Sequence, residues 1–156
     1  MENELCIRSF EAGDQEQARR LILQGLGERF GYVDETLNPD LEDIVRNYTT
    51  PGHIFVVACI GSELVGTGAL ISHSEGISEM VRISTRKDYR RRGIGQAIVT
   101  YLMRRSLLRG DRRIIVKTGA TWHDAIHLYQ RLDFFEYGHT DLTVSLELLL
   151  AVPEHI

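Results

Sequence analysis

The chain has 156 residues, 43% apolar and 26% charged, which is enough for one domain with a sizeable core and excludes a disordered or fibrous sequence. Its formal net charge of −4 hides an uneven distribution: residues 82–117 hold ten Arg and two Lys against Asp88 and Asp111, a local +10, while the remainder carries −14. The longest apolar run, Ile54–Ile60, is too short for a membrane-spanning helix, and the acidic start Met1-Glu2-Asn3-Glu4 lacks the apolar centre of a secretory leader.

Residues 5–10 read as a first strand. Gly13-Asp14 opens a helix with Asp14 as its expected N-cap, and Ala18, Leu21, Ile22 and Leu26 follow at helical spacing. Asn38-Pro39-Asp40 is a turn, residues 41–48 a short helix, and Thr50-Pro51-Gly52 its end. Ile54–Ile60 and residues 63–72 read as a hairpin across Gly61-Ser62, and Gly76 separates it from a strand over Ile77–Thr85. From Gly93 the period changes: Ile94, Ala97, Ile98, Tyr101, Leu102 and Leu108 mark one helical face, ended by Gly110. A strand at 114–116, a helix at 124–132 capped by Asp124, and strands at 134–137 and 142–150 complete the chain. The order is β-α-α-β-β-β-α-β-α-β-β, which implies an α/β protein with a mixed sheet, in a single domain over residues 1–156. The β-α-β unit from Ile77 to Val116 requires parallel strands. Cys6 and Cys59 stand in apolar stretches without metal-ligand spacing and are expected to be buried free thiols in a cytoplasmic protein.

The segment that carries chemistry is Arg90-Arg91-Arg92-Gly93-Ile94-Gly95-Gln96. It follows a strand and opens a helix. Glycines at 93 and 95 let backbone approach a ligand, and the unpaired amides of the first helical turn favour an anion such as pyrophosphate. Neighbouring guanidinium groups suit further phosphates. The competing interpretation is a tight turn with a solvated basic face. Neither a Walker-A loop nor the dinucleotide glycine fingerprint is present.

This run resembles the acyl-coenzyme A loop of the GNAT superfamily of N-acetyltransferases, in which Arg or Gln is followed at the third position by Gly and at the fifth by Gly or Ala. Arg90, Gly93 and Gly95 fill that pattern. Ala125-Ile126-His127-Leu128-Tyr129-Gln130-Arg131-Leu132-Asp133-Phe134 is similar to the family's second signature helix, and the order of elements agrees from about Leu5 to Leu150. The resemblance implies acetyl-CoA as co-substrate and a primary amine as acceptor, joined by direct transfer in a ternary complex. It implies that backbone at Ile83, Ser84 and Thr85 pairs with the pantetheine arm. Arg90 opens the loop, and the amides of Arg91, Arg92, Gly93, Ile94, Gly95 and Gln96 hold the pyrophosphate. Tyr129 corresponds to the tyrosine that protonates the departing thiolate, and Glu79, eleven residues before Arg90, to the general base of one branch of the family. The alternative is that Glu79 pairs with Arg82 or another strand neighbour and only structures the sheet. Two positions depart from the pattern: Trp122 replaces an Asn that touches the cofactor and, kept as a cofactor-site candidate, is expected to line the acyl or substrate pocket instead, and Asp133 replaces a Gly, with a side chain that tolerates a left-handed cap.

Other features carry less. His123 and His127 imitate a zinc helix but lack the glutamate and third ligand, so no metal is expected. His53, His73 and His139 are isolated. Tyr89 and Tyr101 are the only aromatic residues of the basic segment, which disfavours nucleic acid as a partner. Asp34, Glu35, Asp40, Glu42 and Asp43 either attract a cationic acceptor or form a solvated loop. No membrane association is expected, and a homodimer through the last strand is conjectural. A non-catalytic acyl-CoA-binding sensor on the same fold is the alternative function.

Overall fold

A computed structural model describes residues 4–32 and 37–151. Asp34 and Glu35 lie outside the described residues, as do residues 1–3 at the acidic start. Among the described residues seven strands form one sheet in the order β1-β2-β3-β4-β5-β7-β6. They are β1 (Leu5–Ser9), β2 (Ile54–Ile60), β3 (Glu63–Ser74), β4 (Ile77–Thr85), β5 (Arg113–Gly119), β6 (Phe135–His139) and β7 (Thr143–Leu149). The helices are α1 (Gln15–Phe30), α2 (Ile44–Tyr48), α3 (Ile94–Leu108) and α4 (His123–Arg131). The order of strands and helices is the one read from the sequence. Among the described residues no helix is long and apolar enough to cross a membrane.

The chain packs as two compact units, Met1–Ala69 with Arg82–Val99, and Leu70–Val81 with Thr100–Ile156. β3, β4 and α3 each run from one unit into the other.

In the first unit, β1 pairs antiparallel with β2. Its core takes Leu21 and Ile22 from α1, Leu41 and Ile44 from the segment after it, Val56, Val57 and Ala58 from β2, and Ile94 and Ile98 from α3. β3 crosses close to α3 at Gly66, where an added Cβ would lie 2.7 Å from Ile98 Cδ1. α1 extends to Phe30, beyond the apolar stripe visible in the sequence, and ends on Gly31 at φ 82°. Asp14 is the N-cap residue of α1, as expected, but makes no side-chain capping bond; its carboxylate accepts two hydrogen bonds from Arg8 at 2.7 and 2.9 Å and one from the Glu11 amide. Two expectations need correction here. Cys6 is exposed rather than buried, because β1 is an edge strand; it faces the buried Cys59 across the ladder. The expected helix at 41–48 is split into a 3-10 turn, Pro39–Glu42, and α2, because Asp43 leaves the helical region to cap Arg46 N–H.

In the second unit, β4 and β5 run parallel, with Ile77–Met80 registered against Arg113–Val116, as the β-α-β reading requires. β5 continues antiparallel to β7, and β6 forms the far edge. Met80, Leu102, Ile114, Val116 and Leu146 are almost entirely buried. A polar cluster is buried beside them. Asp111 accepts from Ser78 and Ser106 hydroxyls at 2.7 and 2.6 Å and from Arg109 at 2.8 Å. Burial raises the Asp111 carboxyl, but these hydrogen bonds outweigh it and hold the group below the usual carboxylate range. α4 also differs from expectation: Trp122, not Asp124, occupies its N-cap, and Asp124 lies within the first turn, where negative charge suits the dipole.

Candidate functional site

Ile83, Ser84 and Thr85 continue β4 past the four residue pairs that join it to β5, and each is half-buried. Arg82 stands just before them in β4. Arg82 adopts φ 57°, an unusual conformation for a non-glycine residue inside a strand. It is held there from both sides: Thr67 Oγ1 donates to its carbonyl at 2.8 Å, and its guanidinium binds both Asp40 oxygens at 2.8 Å. Tyr48 OH completes the group by donating to Asp40. No sequence pattern marked this cluster, because Asp40 is 42 residues from Arg82. It also gives Asp40 an internal partner, as α2 does for Asp43, so those two acids do not carry the case for a cationic acceptor.

After Thr85 a 3-10 turn, Lys87–Tyr89, leads into the basic loop. Arg90 is tied down: it donates to the Thr85 carbonyl at 3.1 Å and pairs with Glu28 of α1 at 2.6 Å. The guanidinium groups of Arg86 and Arg92 lie 5.0 and 4.9 Å from the Tyr89 ring centre, and Arg86 also pairs with Asp88. Among the described residues no ion pair engages Lys87, Arg91 or Arg92. The backbone then turns through two left-handed residues, Arg91 at φ 64° and Gly93 at φ 80°. Space above Gly93 is open, with no atom within 4 Å of where a Cβ would stand. The first α3 bond runs from Ala97 N–H to the Gly93 carbonyl, so the amides of Ile94, Gly95 and Gln96 head the helix without intrahelical acceptors. This arrangement fits a diphosphate: open space at Gly93, three amides at a helix head without intrahelical acceptors, a helix dipole and cations on the same loop without ion pairs among the described residues. Beside it, Leu21, Gln24, Gly25 and Glu28 of α1 line a cavity of about 480 Å³ with Thr85, Arg86, Lys87, Asp88 and Arg90.

The remaining candidates belong to the second unit. Tyr129 is 4% exposed, and burial pushes its phenol above the ordinary tyrosine range. Its ring meets Phe134 edge-on at 5.5 Å. That contact belongs to a Schellman C-cap: Phe134 N–H donates to the Tyr129 carbonyl and Asp133 N–H to that of Gln130, with Asp133 at φ 72°. Asp133 thus adopts the left-handed turn for which the sequence pattern uses glycine. Trp122 lies across Gly119, where an added Cβ would come within 2.5 Å of the indole. Glu79 pairs not with Arg82 but with another strand neighbour, His73 of β3, at 2.6 Å, as the alternative reading of Glu79 allowed; the sequence left His73 itself without a role. The hairpin between β3 and β4 creates that contact, and no local motif signals it.

Residues 17–134 match the model of the Acetyltransferase (GNAT) family. The chain is 29% identical to N-acetyltransferase family 8 member 2 of Rattus norvegicus over 76% of its length, and 30% identical to N-acetyltransferase 8 of Homo sapiens over 76%. It spans about half of those relatives, 54% and 55% of their lengths. It is 28% identical to the uncharacterized N-acetyltransferase YjgM of Escherichia coli strain K12, covering 90% of this chain and 92% of that one. An acetyltransferase of the GNAT family from Staphylococcus aureus Mu50 superposes with a TM-score of 0.86 at 23% identity, covering 95% of this chain and all of that one. The PaiA N-acetyltransferase of Thermoplasma acidophilum, solved in complex with coenzyme A, gives 0.82 at 16% identity over 94% and 99% of the two chains. The folded loop, the signature helix and the family match together establish that this chain belongs to the GNAT acetyltransferase family.

Proposed function

We propose that the protein transfers an acetyl group from acetyl-CoA to a primary amine directly, within a ternary complex. The observation that carries this reading is the turn from Arg91 to Gln96, with two left-handed residues, open space at Gly93 and three helix-head amides that have no intrahelical acceptors. Those amides and the Arg91, Arg92 and Lys87 side chains would hold the phosphates. Backbone at Ile83, Ser84 and Thr85 would orient the arm of the cofactor, whose thioester supplies the activated acetyl group. Glu79 takes a proton from the acceptor ammonium. Tyr129, kept neutral by burial, holds a proton for the leaving sulfur. No covalent intermediate on the enzyme is required.

Calorimetry with acetyl-CoA, followed by a thiol-release assay over spermidine, a lysine-bearing peptide and a neutral-bodied aromatic amine, tests the reading. Binding and amine-dependent thiol release are expected. Binding without turnover favours an acyl-CoA sensor, and absence of binding removes the reading altogether. Gly93→Val should weaken acetyl-CoA binding by about tenfold or more, because a branched residue is strained at φ 80° and its side chain enters the open space.

A further inference from the structure

Joining an alkylammonium to a thioester gives an amide, a thiol and one net proton, which must leave the site. Glu79 is poorly placed to release it unaided, since its side chain is only 17% exposed. His73 Nε2 lies 2.6 Å from Glu79 Oε1, and the His73 side chain is 46% exposed. We propose that His73 is a proton relay and positioning residue for Glu79, carrying to solvent the proton that Glu79 takes from the acceptor. This rests on the acetyl-transfer reading above.

The steps balance without any further reactant. The acceptor N–H bond breaks and a Glu79 O–H bond forms. While Glu79 is ionised, His73 Nε2–H donates to it. Once Glu79 is protonated, exchange with solvent moves the exposed ring to its Nδ1–H tautomer, and the Glu79 proton passes to the freed Nε2 lone pair, restoring the carboxylate and giving an imidazolium. The ring then sheds its Nδ1 proton to water, which returns Nε2–H to Glu79. Neighbouring charges leave this route open. Sheet register sets Glu79, Ile115 and Glu147 in one row, with Arg113 and Lys117 of β5 on the same face. Arg113 is bound to Glu147, so the second carboxylate of the row already has its own cation. Glu75 and Arg112 near the hairpin turn are exposed.

The test measures thiol release by the full chain with acetyl-CoA and the most active amine of the panel. His73→Ala should lower kcat about tenfold while leaving the acetyl-CoA dissociation constant unchanged, and added imidazole should restore part of the loss. His73→Gln keeps a hydrogen-bond donor toward Glu79 but cannot shuttle a proton, so it should resemble His73→Ala. In a Glu79→Gln background, adding His73→Ala should have no further effect, because both groups act on one proton. Full kcat in His73→Gln, independent losses in the double variant, or failure of imidazole to rescue would overturn the relay. A wild-type protein that binds acetyl-CoA but turns over no amine would instead overturn the acetyl-transfer reading itself.

Discussion

Burial of Tyr129 works against the acid role proposed for it, because donating its proton would leave a buried phenolate. Desolvation penalises the phenolate, so the folded tyrosine keeps its proton past the ordinary value of 10.0. The acid role requires that Tyr129→Phe reduce kcat by about tenfold or more with acetyl-CoA affinity unchanged in calorimetry; equal kcat would remove that role. Asp14 shows the opposite shift. Hydrogen bonds from Arg8 hold its carboxyl below 3.8. The resulting stability is present above the ordinary carboxylate range and disappears as pH falls through the lower folded value. Asp14→Asn should therefore lose about 1 kcal/mol at pH 7, a modest figure because Arg8 is partly solvated, and should narrow the gap between thermal melts at pH 7 and pH 3.

Two elements are fixed by single positions. α4 ends in a Schellman cap on Asp133, whose φ of 72° strains any residue with a Cβ. Asp133→Gly should raise stability by about 0.5–1 kcal/mol, seen as a higher melting temperature, and Asp133→Val should lower it. α3 presses on β3 at Gly66, where the nearest atom belongs to the fully buried Ile98. Gly66→Ala should destabilise by about 1–3 kcal/mol in denaturant titration, because the added methyl meets the buried Ile98 while Ile94 and Ala58 crowd it at 3.2 and 3.3 Å. A neutral result would show that the strand and helix can part. The Asp133 turn was legible in the sequence, since the signature helix requires a left-handed cap there. The Gly66 contact was not, because its partners in α3 lie about thirty residues further along the chain and no periodicity links them.

Over the whole chain, the basic segment is less available than its +10 charge implies. Arg82, Arg86, Arg90, Arg109 and Arg113 are engaged by Asp40, Asp88, Glu28, Asp111 and Glu147. Acetyl-CoA affinity should accordingly fall by only about tenfold or less between 50 and 500 mM salt, rather than the steep loss of a surface that neutralises many phosphates. The sequence by itself determined the order of elements, the glycine turn at the head of α3 and the tyrosine helix, because each is encoded by neighbours within a few positions. Tertiary structure alone decided the partners: Arg82 with Asp40, Glu79 with His73, Arg90 with Glu28. Those pairs form when strands register and helices dock, and side chains brought together that way leave no local spacing for a sequence to display.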